Sequence, residues 1–277
     1  MFEALIHYRF MQYALLAGLM SAIVSGIIGV IVIEKKMVMI SGGIAHTAYG
    51  GVGLAYFIGF EPLIGAFLFS ILASLGIGFA KKKEGTYTDI LIGLFWPLGM
   101  ALGVLFISLM PSYPPDITSY LFGSILSVTT LDLILMMVLS ILILVVFISL
   151  YETWKAYLFD QEFAKISGIN TTFLEFFLLI LIAMSVVVLL RTTGIIMAIA
   201  LLVAPAATAS LFTNNLKKRM RLAILLGAIF VVIGLTFSYY LDISSGCFIV
   251  IVAVLSYFIG LIIQKIELNR KEKKIHE

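Results

Sequence analysis

Long apolar runs separated by short polar segments occupy the chain from residue 13 to residue 263. Nine of these runs have about the 20 apolar residues that a helix needs to cross a bilayer. The runs are 13–33, 37–59, 62–80, 88–110, 131–150, 172–190, 193–212, 222–241 and 243–263. Strands of a membrane β-barrel would alternate apolar and polar residues over short segments, and these runs do not. The pattern therefore predicts an all-α, polytopic transmembrane helical bundle of about nine spans.

The seventh run, 193–212, is the weakest. It contains Pro205 among alanine and threonine residues. Irregular backbone at membrane depth is tolerated only where protein or a water-filled cavity covers it. The run is therefore either a complete crossing or a broken, re-entrant helix, and the span count is eight or nine.

Composition places the chain among integral membrane proteins. Of its 277 residues, 62% are hydrophobic and 12% are charged, whereas a soluble domain carries about 25% charged residues. The net charge of +3 does not indicate a nucleic-acid partner. The single cysteine, Cys247, lies in an apolar run, which excludes a disulfide framework and favours a small buried side chain. No G-x-x-x-x-G-K-[ST] phosphate-binding loop occurs, so we expect no enzymatic activity here and any ATP hydrolysis on a separate chain.

Basic residues cluster in alternate connections. If nine spans alternate, sixteen of the 18 Lys and Arg residues fall on one side, and only Arg9 and Arg191 fall on the other. Cytoplasmic loops are enriched in lysine and arginine. The pattern predicts one transmembrane domain over 1–264 and a cytoplasmic C-terminus with a basic tail over 265–277.

The longer outer connection covers 111–130. It contains Pro111, Pro114, Pro115 and Asp116 and no basic residue. It is either a rigid surface loop or part of a mouth that receives substrate.

The longer inner connection, 151–171, has the mixed-charge sequence YETWKAYLFDQEFAKISGINT. It favours a short amphipathic helix that ends at Gly168. Glu162, Phe163 and Ile166 would share one face of that helix. The segment is either a plain connector or a docking site for a soluble partner.

Few ionisable residues lie in or near the runs. Asp89, Asp132, Glu175 and Asp242 are close to predicted ends, where we expect water and headgroups to solvate them. Glu61 at the end of the second run is expected to cap or anchor the following turn.

His46 is the ionisable residue at the centre of the second run. At helical spacing its neighbours are Gly42, Gly43, Tyr49 and Gly50. A histidine at membrane depth indicates an ion or proton pathway. A face of small residues equally indicates close helix packing, across which one histidine can hydrogen-bond. The residues alone leave both interpretations open.

Four segments resemble motifs of one family. They are SGGIAHTAYGGVGLAYFIG at 41–59, YLFGSIL at 120–126, FDQEFAKISGI at 159–169 and TGIIMAIALLVAPAATASL at 193–211. In this order and on this topology, the chain resembles the membrane permeases of the zinc/manganese/iron(II) ABC-importer family.

The resemblance implies a transporter made of several different subunits. Such permeases work as homodimers, two cytoplasmic ATP-binding subunits drive them, and an extracellular metal-binding protein delivers the ion. The implied cargo is a divalent transition metal, most often zinc, with manganese or iron(II) as alternatives, and no cofactor is bound tightly. The implied location is the cell (cytoplasmic or inner) membrane.

The resemblance also implies roles for particular residues. The ATPase-coupling segment, about 152–171, would act through Phe159, Asp160, Glu162, Phe163, Ala164 and Gly168. The metal or translocation path would involve His46, Tyr49, Gly42, Gly43 and Gly50, and a path helix would carry Gly194, Pro205 and Thr208. Family members with the Asp-Ala-Leu-Ser-His form of the second-helix motif have an aspartate where this chain has Gly42, so His46 would lack its carboxylate neighbour, although imidazole suits zinc.

Three other functions compete. A permease for an iron chelate or another small substrate would have little need of His46. An ion-coupled secondary transporter would need intramembrane carboxylates or paired broken helices, and the runs lack central acids. A structural membrane protein would need no ATPase partner.

Overall fold

The computed structural model describes residues 7–83, 88–110, 123, 125–241 and 243–276. Within these residues there are ten α-helices, one short 3-10 helix (Ile125–Ser127) and no strand, which confirms the all-α prediction. The helices are α1 (Arg9–Glu34), α2 (Val38–Ile58), α3 (Pro62–Lys83), α4 (Thr88–Ser108), α5 (Thr130–Ser149), α6 (Tyr151–Phe159), α7 (Gln161–Ile166), α8 (Thr171–Phe212), α9 (Leu216–Leu241) and α10 (Ser245–His276).

Seven helices in the described part are long and apolar enough to cross a membrane, namely α1, α3, α4, α5, α8, α9 and α10. The second predicted span corresponds to α2, which has 21 residues but is not among the seven. Its glycines and His46 lower its hydropathy. The sixth and seventh predicted spans both fall in α8, which has 42 residues. Helix length and composition therefore support a multi-pass bundle without fixing nine spans.

Helix α8 turns back on itself at Gly194. This residue has φ 78° and ψ 165°, a conformation outside the helical region that glycine adopts readily. Glu175 pairs with Lys81 near one end of α8, and the carbonyl of Thr213 at the other end accepts from Arg219. A straight helix would separate residues 175 and 213 by about 57 Å.

The partners of α8 show that its two ends lie close together. Arg219 also pairs with Glu34, and the next residue, Lys35, interacts electrostatically with both Lys81 and Glu175. The two limbs of α8 therefore run in opposite directions. The run 193–212, predicted as the weakest span, is the second limb.

One end of the bundle carries most of the described basic side chains. Lys35, Lys81, Lys217 and Arg219 lie there with α6 and α7, and we call this the basic end. The opposite end carries the ion pair between Arg191 and Asp132. The structure thus places at one end the lysine and arginine clusters that the alternation of spans predicts to share a side.

The core lies around α1 and α8. Of the most apolar stretch of each helix, 72% is buried in α1 and 67% in α8, against 22% in α4 and in α10. The peripheral helices therefore expose the apolar faces that a bilayer would cover. Gly29 of α1 allows the closest approach, because a Cβ there would lie 1.9 Å from the carbonyl oxygen of Leu202 in α8.

Three sequence expectations differ from the structure. Asp132 is buried rather than solvated, because it caps α5 and pairs with Arg191. Cys247 is exposed rather than buried, since it lies on the outer surface of α10. The inner connection forms two helices instead of one, because Asp160 leaves the helical conformation and caps α7. Glu61 and Asp89 are exposed, as expected of boundary residues.

Some predicted features fall outside the described residues. They are Asp242, the proline-rich part of the outer connection with Pro111, Pro114, Pro115 and Asp116, and most of the segment 120–126.

Candidate translocation site and coupling surface

His46 lies midway along α2 and is half-buried. Its ring contacts the indole of Trp96 in α4, with ring centroids 4.8 Å apart and planes inclined by 41°. Its Nδ1 is buried without a hydrogen-bond partner in the described structure. Buried polar atoms are normally paired. This imidazole nitrogen is therefore available to an ion, a water molecule or a second protein group.

The glycines around His46 serve close helix packing. A Cβ on Gly43 would lie 3.1 Å from Ile92, and one on Gly50 would lie 2.9 Å from the carbonyl oxygen of Gly99. Gly53 makes a similar approach to Gly103. We call this contact, formed by Gly42, Gly43, Gly50 and Gly53 of α2 against α4, the α2–α4 seam. The packing interpretation therefore accounts for the glycines, whatever His46 does.

Trp96 occupies the space beside Gly42, where a Cβ would lie 3.5 Å from the indole ring. Gly42 is the position at which the resemblance to the family motif implies an aspartate. The large indole of Trp96 fills the space that the absence of a side chain at Gly42 leaves open. Sequence reasoning missed Trp96, although a tryptophan beside Pro97 in the middle of an apolar run is an identifiable signal.

Tyr49 is buried in the same seam. Its ring packs against Gly103, and its hydroxyl has no hydrogen-bond partner among the described residues. An unpaired buried hydroxyl costs about 1–3 kcal/mol. Tyr49 and His46 thus give the seam two polar atoms without protein partners.

The predicted path-helix residues lie on or beside the second limb of α8. Gly194 forms the reversal, and a Cβ on Gly123 would lie 2.3 Å from the Gly194 nitrogen. Pro205 is buried and faces Gly227 of α9. Thr208 donates from Oγ1 to the carbonyl of Ala204 at 2.8 Å. These contacts give all three predicted residues structural roles in the α8 hairpin.

The reversal of α8 lies at the end of the bundle that carries an ion pair between the exposed Arg191 and the buried Asp132. Arg191 Nε donates to Asp132 Oδ1 at 3.1 Å. Asp132 Oδ2 accepts from the backbone nitrogen of Thr129 at 3.0 Å and from its hydroxyl at 2.7 Å. The pair therefore links the start of α5 to the end of the first limb of α8. The spacing Thr129-x-x-Asp132 resembles a capping box and is the signal that sequence reasoning passed over.

The predicted coupling residues form an exposed surface at the basic end. Asp160 Oδ1 accepts from the backbone nitrogen of Phe163 at 2.8 Å and starts α7. Ala164 is fully buried beneath the helix, whereas Phe163 and Ile166 are 60% and 86% exposed. We call Phe159, Glu162, Phe163 and Ile166, all exposed, the α7 surface.

The turn after α7 requires a glycine. Gly168 has φ +83°, which other residues rarely adopt. This confirms the helix end that the sequence predicts at Gly168.

Aromatic packing anchors the α7 surface to the bundle. Trp154 of α6 is fully buried, and its ring lies 4.8 Å from that of Phe147 and 6.3 Å from that of Phe177. Lys35 Nζ donates to the carbonyl of Tyr157 at 2.9 Å and lies 3.7 Å from the centre of its ring. The coupling segment is therefore attached to α1, α5 and α8.

Burial shifts the pKa values of two side chains in this anchor. It lowers the pKa of Lys35, and the neighbouring charge of Lys81 lowers it further. Burial also raises the pKa of the Tyr157 hydroxyl, and the carboxylate of Glu175 acts in the same direction. Both groups favour their neutral forms more than they would in water.

Within the described residues, no group of three or more His, Cys, Asp or Glu side chains is placed to hold a metal ion. Among these residues His46 therefore does not belong to a cluster of that kind.

The fold and these sites define a polytopic α-helical membrane protein with an exposed helical surface at its basic end. Residues 7–264 match the model of the ABC 3 transport family. The chain belongs to this family, and the resemblance to permeases of ABC importers that the sequence motifs predict is confirmed.

The similarity to known proteins covers nearly the whole chain. An uncharacterized membrane protein of Synechocystis is 41% identical over 264 residues, covering 94% of each chain. The manganese transport system membrane protein MntC of Listeria innocua is 37% identical, covering 94% of this chain and 92% of MntC. A solved structure of PsaBC from Streptococcus pneumoniae in complex with a Fab matches with a TM-score of 0.84 and 30% identity, covering 94% of this chain and 93% of that chain.

Proposed function

We propose that this protein is the permease subunit of an ATP-driven importer of divalent transition-metal ions. The observation that carries the proposal is the family match over residues 7–264, together with a relative of nearly equal length named for manganese transport. The alternatives of a chelate permease and an ion-coupled secondary transporter have no comparable support.

Two observations favour different cargoes. The name of the Listeria relative favours Mn(II). The donor at the candidate site favours Zn(II), because a neutral imidazole without a carboxylate suits zinc better than manganese, and Gly42 supplies no carboxylate. The two ions are the cargoes to be tested against each other.

His46 would line the path and contact the ion transiently. Its half-buried position, the unpartnered Nδ1 and the indole of Trp96 beside it support this role. A transport site must release its ion, so one or two donors suit it better than a closed four-ligand cage. A homodimer would supply a second His46 if the α2–α4 seams of the two copies face each other.

The α7 surface would dock the ATP-binding subunits. Its exposed Phe163 and Ile166 are apolar side chains outside the membrane-spanning runs, and its anchor through Trp154 and Lys35 would transmit movement to α1, α5 and α8. We propose two such subunits per dimer and an extracellular protein that delivers the metal at the opposite end.

The basic end would face the cytoplasm. The excess of lysine and arginine there favours this orientation. With α2 and both limbs of α8 crossing, the chain would span the cell membrane nine times and end in the cytoplasm, with the transmembrane domain over 1–264 and the basic tail over 265–277.

Metal uptake by cells with and without His46 tests the proposal. We expect His46→Ala to lower uptake of the cargo ion by about tenfold, which corresponds to about 1.4 kcal/mol, without changing membrane insertion. Radiolabelled Mn(II) and Zn(II), each with the other as competitor, would identify the ion.

Replacement of the exposed His7 by alanine is the matched control and should leave uptake unchanged. Equal uptake by His46→Ala and the wild type would assign His46 to helix packing alone. Absence of ATP-dependent uptake of both ions by the wild-type permease with its ATP-binding subunits would contradict the proposed function.

A further inference from the structure

A groove of about 430 Å³ lies between α5 and α9 at the basic end. Leu144, Phe147 and Ile148 from the last turns of α5 form one wall, and Met220 and Ile224 from the start of α9 form the other. We call it the α5–α9 groove. It is distinct from the α2–α4 seam and from the α7 surface.

The groove combines an apolar interior with a cationic mouth. Lys217 and Arg221, both exposed, line it beside Tyr151. Lys217 Nζ lies 4.1 Å from the centre of the Tyr151 ring. No acidic residue lines the groove, and within the described part of the chain neither Lys217 nor Arg221 has a carboxylate partner.

The groove lies at the ends of two helices that are long and apolar enough to cross a membrane. Its apolar walls belong to the last turns of α5, which ends at Ser149, and to the first turns of α9, which begins at Leu216. Tyrosine and lysine are typical of this interface. A molecule that fills the groove would therefore have an apolar part at acyl-chain depth and a polar part at the two cations.

We propose that the α5–α9 groove binds one anionic phospholipid, with its phosphate between Lys217 and Arg221 and an acyl chain along Leu144 and Ile224. Two cations without carboxylate partners at the mouth complement a negative headgroup, and basic pockets between membrane helices are known to bind such headgroups. A zwitterionic lipid would place a third cation, that of its own headgroup, beside these two and is disfavoured. This proposal depends on membrane insertion and not on the identity of the transported ion.

Native mass spectrometry of the full-length chain in detergent tests the proposal. The probes are phosphatidylglycerol and phosphatidylcholine with the same acyl chains. We expect the wild-type chain to retain phosphatidylglycerol in preference to phosphatidylcholine. In the double variant Lys217→Gln/Arg221→Gln, the ratio of retained phosphatidylglycerol to retained phosphatidylcholine should fall by up to about 30-fold, which corresponds to about 2 kcal/mol.

A matched control removes the same charge elsewhere at the basic end. Lys82 and Lys218 are exposed and do not line the groove, so Lys82→Gln/Lys218→Gln should keep the preference. Leu144→Trp, which narrows the apolar part and keeps both cations, should weaken retention of both lipids.

Three results would overturn the proposal. One is equal retention of the two lipids by the wild-type chain, an outcome that needs no variant. Another is displacement of phosphatidylglycerol by soluble glycerol phosphate at equal concentration, which would assign the site to a free phosphate. The third is loss of dimer, with lipid preference unchanged, in the Lys217/Arg221 double variant, which would assign the groove to a second copy of the chain.

Discussion

The α2–α4 seam and the anchor of the α7 surface are held together by different interactions. In the seam, backbone packs against backbone at glycine positions, and the polar atoms of His46 and Tyr49 have no protein partners in the described structure. At the basic end, Lys35 bonds to Tyr157 and ion pairs join neighbouring helices. A seam with free polar atoms suits a passing ion, whereas a bonded anchor suits the transmission of force.

This difference predicts opposite sensitivities. In its stability, as distinct from metal uptake, the seam should tolerate the loss of a polar group but not the addition of a single carbon atom. The anchor should tolerate small changes in side-chain volume but not the loss of a hydrogen bond or an ion pair.

The largest effect is expected from adding one methyl group to the seam. A Cβ on Gly99 would lie 2.5 Å from Cα of Thr47 and 2.8 Å from the carbonyl oxygen of His46, so α2 and α4 must separate. Overpacking of this kind costs about 1–3 kcal/mol, and we expect Gly99→Ala to lie at the upper end. Thermal unfolding in detergent and metal uptake would both measure the loss.

Gly93 provides the control for that substitution on the same helix. A Cβ there has no atom within 4 Å, and alanine favours helix over glycine by about 1 kcal/mol. Gly93→Ala should therefore keep both stability and uptake. Similar losses in Gly93→Ala and Gly99→Ala would show that close packing does not hold the seam.

A smaller effect is expected from removing one bond of the anchor. Lys35→Met keeps most of the side-chain volume but leaves the carbonyl of Tyr157 without the lysine donor at 2.9 Å. The loss of a hydrogen bond to a charged group costs about 1.5–3 kcal/mol, and we expect the lower end because the lysine is only half-buried. ATP-driven uptake should fall more than membrane insertion, since α6 and α7 would lose their attachment to α1.

Lys36 is the neighbouring control for Lys35. It is exposed, so Lys36→Met removes the same charge but leaves the hydrogen bond from Lys35 to α6 intact. Equal uptake by the two variants would argue against the anchor as a mechanical link.

The positions of the helices could be predicted from the sequence, whereas the contacts between the helices mostly could not. Apolar runs predict the membrane helices because each run must satisfy its own backbone, and Gly168 predicts a helix end because of its conformational freedom. Arg191 already separates two apolar runs in the sequence, but the reversal at Gly194 inside one continuous helix was not evident. Its position depends on the contact with Gly123, which is distant in sequence.

The candidate site was predictable only in part. His46 stands out because a titratable residue is rare in an apolar run, and its glycine neighbours follow from helical spacing. Trp96 stands out beside Pro97, but its contact with His46 is visible only in the structure. Lys35 could not be assigned at all, because its importance comes from Tyr157 on another helix. The burial of Asp132 likewise depends on Arg191, which is 59 residues away.

The last effect is absent at neutral pH and appears only at alkaline pH, and it belongs to the anchor. The pKa of the Tyr157 hydroxyl is raised above its ordinary value of 10.0 because the side chain is buried and because Glu175 lies near it. The folded chain therefore keeps this proton at pH values where the unfolded chain has lost it. The resulting contribution to stability is complete below pH 10 and is lost as the pH rises above it, by about 1.4 kcal/mol per pH unit.

Tyr157→Phe removes this proton without removing the ring that lies beneath Lys35. Between pH 8 and pH 9.5 the variant and the wild type should unfold at nearly the same temperature. Between pH 10 and pH 11.5 the wild-type midpoint should fall more steeply than that of the variant, whereas replacement of the exposed Tyr8 by phenylalanine should leave the wild-type slope unchanged. Parallel pH profiles for wild type and Tyr157→Phe would mean that Tyr157 ionises as freely in the folded chain as in the unfolded one, and the α6 anchor would then be open to water.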